Sequence, residues 1–203
     1  MKGTALKKRI AGAAVLVLSV VFLQSVCRAG EGDYYFREGT RLLKQAKLDQ
    51  AVTSLTEAIR LAPDRVEAYN NRGLAYFEQK RYPEAKRDFF TALQLSPDNQ
   101  AANNNLGIIF CGEEDYDQAL SLFQKAAQGR GSSQFYNLIV YRNLSFVYAR
   151  KGMTAEAAEA AGKAQDIQDK AAGSLDLRPY GENTADYALT LEFSTGHAKA
   201  KKE

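Results

Sequence analysis

Seven side chains return at one spacing along most of this chain, and that recurrence limits what it can fold into. Numbering places from Val66 puts Tyr69 at place 4, Gly73 at 8, Tyr76 at 11, Ala85 at 20, Phe89 at 24, Ala92 at 27 and Pro97 at 32. Stepping back 34 residues puts Tyr35, Gly39, Leu42, Ala51, Leu55, Ala58 and Pro63 at those places. Stepping forward gives Asn103, Gly107, Phe110, Ala119, Phe123 and Ala126, with Gly131 in the proline place. A fourth copy follows a four-residue insertion and supplies Tyr141, Ser145, Tyr148, Ala157, Ala161 and Ala164. A fixed period of this length belongs to proteins built by stacking one small unit, each too thin to bury its own apolar face.

Within a copy, Tyr69, Leu74, Tyr76 and Phe77 recur every three to four positions, the period of an amphipathic helix, and a second such segment follows a short polar turn. Small residues at places 8 and 20 let helices approach closely, so Gly73, Gly107 and Ser145 are expected to serve packing. Pro63 cannot continue a helix, Asp64 to Glu67 forms a capping-box pattern, and Pro83 suits a first helical turn. The seven places resemble the signature of the tetratricopeptide repeat (TPR) family. The resemblance implies an all-α fold, an α-solenoid of stacked antiparallel helix pairs. The array is expected over residues 32–169, with repeats near 32–65, 66–99, 100–133 and 138–171.

Ahead of the array, Lys2, Lys7, Lys8 and Arg9 precede an apolar stretch from Ile10 to Leu23, and Cys27-Arg28-Ala29 offers a small-residue cut site. Residues 1–29 therefore read as a secretory signal, with an uncleaved short membrane anchor and a lipoprotein modified at Cys27 as the alternatives. Cleavage implies an exported protein, periplasmic or secreted. It also changes the charge: 27 Lys+Arg stand against 24 Asp+Glu in the whole chain, but 22 against 24 once the leader is gone. The basic character belongs to the leader and gives no reason to expect a nucleic acid partner, or a membrane contact other than through that anchor. Cys111 would then be the sole cysteine, so no intramolecular disulfide can form, and stability must come from helix packing.

Gly129 to Ser133 reads as a plain connection, since no Gly-Lys-Ser/Thr ending follows. Beyond Asp169 the helical pattern weakens, and residues 172–203 read as a tail that is partly extended or disordered. In it Tyr187, Leu189, Leu191 and Phe193 alternate with Ala188, Thr190 and Glu192, the period of a strand. That segment is expected to lie against the last repeat, in the array's own groove or on a partner, with disorder as the alternative.

The family resemblance implies that the first helix of each repeat lines a concave face that holds peptides or protein segments. It carries over Asn71, Asn105 and Asn143 at place 6, whose amides suit an extended backbone, with Leu74, Ile108 and Phe146 at place 9 and Phe77 at place 12. Phe36 and Arg142 fall near the two ends. Inherited consensus packing is the other explanation of the asparagines. The family's carboxylate clamp needs lysine, asparagine, lysine and arginine where this chain has Phe36, Thr40, Ala101 and Asn105, and of its five positions only Asn71 matches. Catalysis is not expected: the single histidine, His197, lies in the tail, and no metal-ligand spacing or nucleophile elbow occurs. The expectation is a cofactor-free scaffold for a protein or peptide partner, helping assemble an envelope or secretion complex, with self-association through an end face or the tail as the alternative.

Overall fold

The computed structural model describes residues 30–128 and 134–172. Among the described residues eight helices follow one another: α1 (residues 30–44), α2 (Leu48–Leu61), α3 (Val66–Glu78), α4 (Tyr82–Leu95), α5 (Gln100–Gly112), α6 (Tyr116–Gln128), α7 (Gln134–Arg150) and α8 (Thr154–Ala172). No strand occurs among the described residues. From α2 onward each helix packs on the next, and the more distant contacts are those of α3 with α5 and of α5 with α7. Contacts of that kind define a solenoid in which α3, α5 and α7 form one wall. The expected leader over residues 1–29, the 129–133 connection and the alternating segment of the expected tail lie outside the described residues.

The period-34 glycines explain how each pair closes. A Cβ added to Gly73 would stand 2.7 Å from the Phe89 ring, one on Gly107 2.7 Å from the Phe123 ring, and one on Gly39 2.6 Å from Leu55 Cγ. Place 8 is thus the notch that receives the large side chain at place 24 of the same repeat. In the fourth repeat both partners change. Ala161 stands exposed at place 24, Ala160 and Ala164 turn inward, and the Ser145 hydroxyl donates to the Ala157 carbonyl at 2.9 Å.

The turns inside each repeat share a device that residue type does not advertise. Ala46, Lys80, Glu114 and Gly152 all fall at place 15 and all adopt positive φ, 55°, 61°, 60° and 75°. The following residue's N–H then reaches back to the carbonyl at place 11, as in Arg81 to Tyr76 at 2.9 Å and Asp115 to Phe110 at 2.9 Å. This left-handed C-terminal cap satisfies carbonyls the helix end would otherwise leave open. Only the fourth repeat fills the position with the residue that adopts it at no steric cost.

Helix starts follow the sequence in part. Pro83 occupies the first turn of α4, as its fixed φ suits. The capping box at Asp64 does not form. Arg65 is the residue that flanks α3 and makes no side-chain cap; instead its guanidinium pairs with Asp33 and lies 4.6 Å over the Phe36 ring, tying the second repeat to the first. A cap does form on α5, where the Asn99 side chain accepts from the Ala102 N–H at 2.8 Å.

Candidate binding groove

The wall made by α3, α5 and α7 carries a row of buried amides. Asn143 donates to Asn104 Oδ1 at 2.8 Å, Asn104 to Asn105 Oδ1 at 3.2 Å, and Asn105 to Asn70 Oδ1 at 2.9 Å. A longer contact of 3.5 Å joins Asn70 to Asn71, and Asn71 donates to the Thr40 hydroxyl at 3.1 Å. Asparagines at place 6 thus reach back to place 5 of the preceding repeat. In the first repeat place 5 is Phe36, so Asn71 turns to Thr40 one helical turn further on. All five asparagines are buried. The structure therefore gives Asn71, Asn105 and Asn143 a role in holding the repeats in register, and adds Asn70 and Asn104, which place-6 reasoning missed. Burying amides is stabilising only when they are hydrogen-bonded, and here they bond one another.

Beside this row, toward the C-terminal ends of the same helices, lies a cavity of about 390 Å³. Phe77, Ile108 and Phe146, each from a different repeat, meet around it. Tyr82, Tyr116 and Arg150 complete the lining along with Cys111 and the acidic Glu113 and Glu114. Phe77 and Tyr82 meet edge to face, 5.3 Å between centroids, and the Arg150 guanidinium sits 5.0 Å over the Phe146 ring. Aromatic faces with a cation at one side and carboxylates at the other suit an apolar side chain flanked by polar backbone. Tyr82 and Tyr116 escaped the sequence reading because they open the second helices of their repeats, outside the first-helix positions that the family resemblance singles out, whereas Arg150, the last residue of α7, stands at one of those positions and was not named.

Three expected lining residues lie elsewhere. Leu74 belongs to the buried core shared with Phe89 and Leu106, and Phe36 to the first repeat's core with Leu55 and Ala58. Arg142 is exposed and donates to Gln168 Oε1 of α8 at 2.7 Å.

The cysteine at the cavity floor is shielded. Burial pushes the Cys111 thiol up to about 12, because the anion would lose its hydration. The folded chain holds the proton that the unfolded chain releases, so this contribution to stability is intact below the ordinary thiol range and fades as pH rises toward about 12. A maleimide or disulfide reagent at pH 8 is expected to modify native Cys111 on the order of 10³-fold more slowly than the urea-unfolded chain, since only the thiolate reacts. Equal rates, followed by mass spectrometry, would show an accessible thiol.

Electrostatic contacts brace the stack. Arg72 makes a two-point contact with the buried Asp88, 2.7 and 2.8 Å, and reaches Thr56 of the first repeat at 3.2 Å. Burial opposes the charge on Arg72, yet the hydrogen bonds to Asp88 hold its guanidinium above the ordinary value. Lys86 meets Glu113 at 2.7 Å, and Lys151 meets Asp117, both pairs bridging neighbouring repeats.

Helix pairs on a 34-residue period, joined through notch glycines and lining a concave wall, define a repeat protein of the interaction class. Tetratricopeptide repeat models match residues 36–94 and 98–170, and the chain belongs to the tetratricopeptide repeat family. Among solved structures it is similar to MamA, at 22% identity over 70% of this chain and 81% of that one, with a TM-score of 0.61. It is also similar to Pseudomonas aeruginosa pilF, at 22% identity over 69% and 62% of the two chains, with a TM-score of 0.62. The first TPR of Spaghetti (RPAP3), solved bound to the HSP90 peptide SRMEEVD, aligns at 18% identity over 61% and 95%, with a TM-score of 0.55. At such identities the likeness is one of fold. A search of curated proteins found no match. Among the described residues no helix is long and apolar enough to cross a membrane.

Proposed function

We propose that this protein is a non-catalytic scaffold that binds a segment of another protein along its concave wall, in the assembly of an envelope or secretion complex. TPR proteins are in general protein-interaction scaffolds, and the observation that carries the reading here is the cavity where Phe77, Ile108 and Phe146 meet. The three residues come from successive repeats, so a segment crossing the helices can place successive apolar side chains against them. The compartment rests on the basic and apolar pattern of residues 1–29.

A crosslinking pull-down from the native envelope identifies the partner, and its affinity is then measured with purified proteins. Tyr82→Ala combined with Phe146→Ala is expected to weaken binding at least about tenfold, roughly 1.4 kcal/mol, with helicity unchanged. Full affinity in this variant would place the contact elsewhere. A second reading, self-association, draws on the opposite face. There Phe90, Leu93, Pro97, Leu106, Phe110 and Leu122 line a groove of about 360 Å³ between α4 and α6, and Phe90 stands exposed. Sedimentation over a range of concentrations distinguishes the two readings, since a groove-binding scaffold keeps the mass of a single chain.

A further inference from the structure

The central helix of the inner wall is buried on every side. α5 packs on α4, α6, α3 and α7, which accounts for its flanks and its outer face. Asn103, Leu106 and Phe110 mark that outer face, beneath the groove between α4 and α6. On the other side Ile108 and Cys111 line the cavity, and these are only 6% and 7% exposed. The equivalent residue to Cys111 one repeat later, Ala149, is exposed, and the one a repeat earlier, Phe77, is half-buried. Cover over the hollow is therefore deepest at its middle.

We infer that the hollow is occupied by the chain's own residues 187–193, laid extended across α3, α5 and α7. The inference rests on the groove reading above and names what fills the groove before a partner arrives. Length fits: seven extended residues span roughly 23 Å, and three helices packed side by side at 8–10 Å put α3 and α7 about 20 Å apart. Reach fits as well. α8 ends at Ala172, and residues 173–186 can bridge up to about 46 Å before the segment begins. The chemistry matches the lining. Tyr187, Leu189, Leu191 and Phe193 share one face of an extended strand, which an apolar floor of Ile108, Phe77 and Phe146 accepts. A partner must then displace the segment, so the tail sets the threshold affinity for binding.

The test uses the full chain with benzoylphenylalanine replacing Phe193, and the same probe at Lys201 as the control. On irradiation the 193 probe is expected to crosslink within its own chain to peptides containing Phe77, Ile108 or Phe146, in a yield that does not fall on serial dilution. Leu189→Asp with Leu191→Asp should lower that yield about tenfold and speed thiol labelling of Cys111, with the circular dichroism of the helices preserved. Yield from position 193 no greater than from 201 overturns the inference. So does yield that falls on dilution, which would assign the groove to a second copy, and so do crosslinks confined to residues 10–23, which would assign it to the leader. Should the tail fail to crosslink while Tyr82→Ala with Phe146→Ala still weakens partner binding, the tail assignment falls and the groove reading survives. Loss of both results would sink the two together.

Discussion

Replacing Phe123 by alanine is expected to cost about 3–5 kcal/mol of stability, the usual range for emptying a fully buried ring site. The companion change makes the explanation specific. Gly107→Ala in the parent chain drives a Cβ to within 2.7 Å of the Phe123 ring, a ring with no exposed surface into which to retreat. It should therefore destabilise by about 1–3 kcal/mol, as overpacked cores do. In the Phe123→Ala background the same methyl enters vacated space, and alanine is the better helix former by about 1 kcal/mol. Its effect should reverse sign. Urea unfolding of the four chains, followed by far-ultraviolet circular dichroism, completes the double-mutant cycle. Additive effects would mean that the notch and the ring do not interlock. In the fourth repeat the pair is absent: Ala161 is exposed, and the Ser145 hydroxyl bonds the Ala157 carbonyl instead.

Asn105→Ala is expected to destabilise the fold by about 2–5 kcal/mol. Its loss takes a donor from Asn70 Oδ1 and an acceptor from the Asn104 amide, and a buried polar group that loses a bond costs about 1–3 kcal/mol. Asn99→Ala, by contrast, removes a helix cap at the edge of the stack and should cost about 1 kcal/mol. The same comparison separates scaffolding from ligand contact. If Asn105→Ala leaves the urea midpoint unchanged while weakening partner binding, its amide serves the ligand rather than the row. For that reason, substitution of the asparagines is a poor probe of the groove, and the aromatic residues Tyr82 and Phe146 are better ones.

The repeat period made the fold legible because it ties residue size to position. Glycine at place 8 and a large side chain at place 24 can recur together only where two helices touch, and Gly73 with Phe89 does so in the structure. The turn geometry was not legible in the same way. Ala46, Lys80 and Glu114 have no composition in common, and their left-handed backbone follows from where the helix must stop. The inner wall was legible in direction more than in depth. Phe77, Ile108 and Phe146 line one cavity, whereas Leu74, at an equivalent place to Ile108 and Phe146, does not reach it. A period says which side a residue faces and leaves open how far its neighbours close over it. The asparagines show the same limit. Two adjacent amides per helix, Asn70 with Asn71 and Asn104 with Asn105, can satisfy each other across repeats, and that becomes visible only when the helix spacing is known.

The amide row also has a sense. Every bond in it runs the same way, from Asn143 through the asparagines of α5 and α3 to the Thr40 hydroxyl. Turning one amide over would set oxygen against oxygen on one side and hydrogen against hydrogen on the other, so the members can reverse only as a group. Like-oriented dipoles reinforce one another in a low-dielectric interior. The inner surface of the solenoid therefore has a head and a tail, and a polypeptide threaded along it in one orientation meets a different electrical landscape from the same polypeptide threaded in reverse.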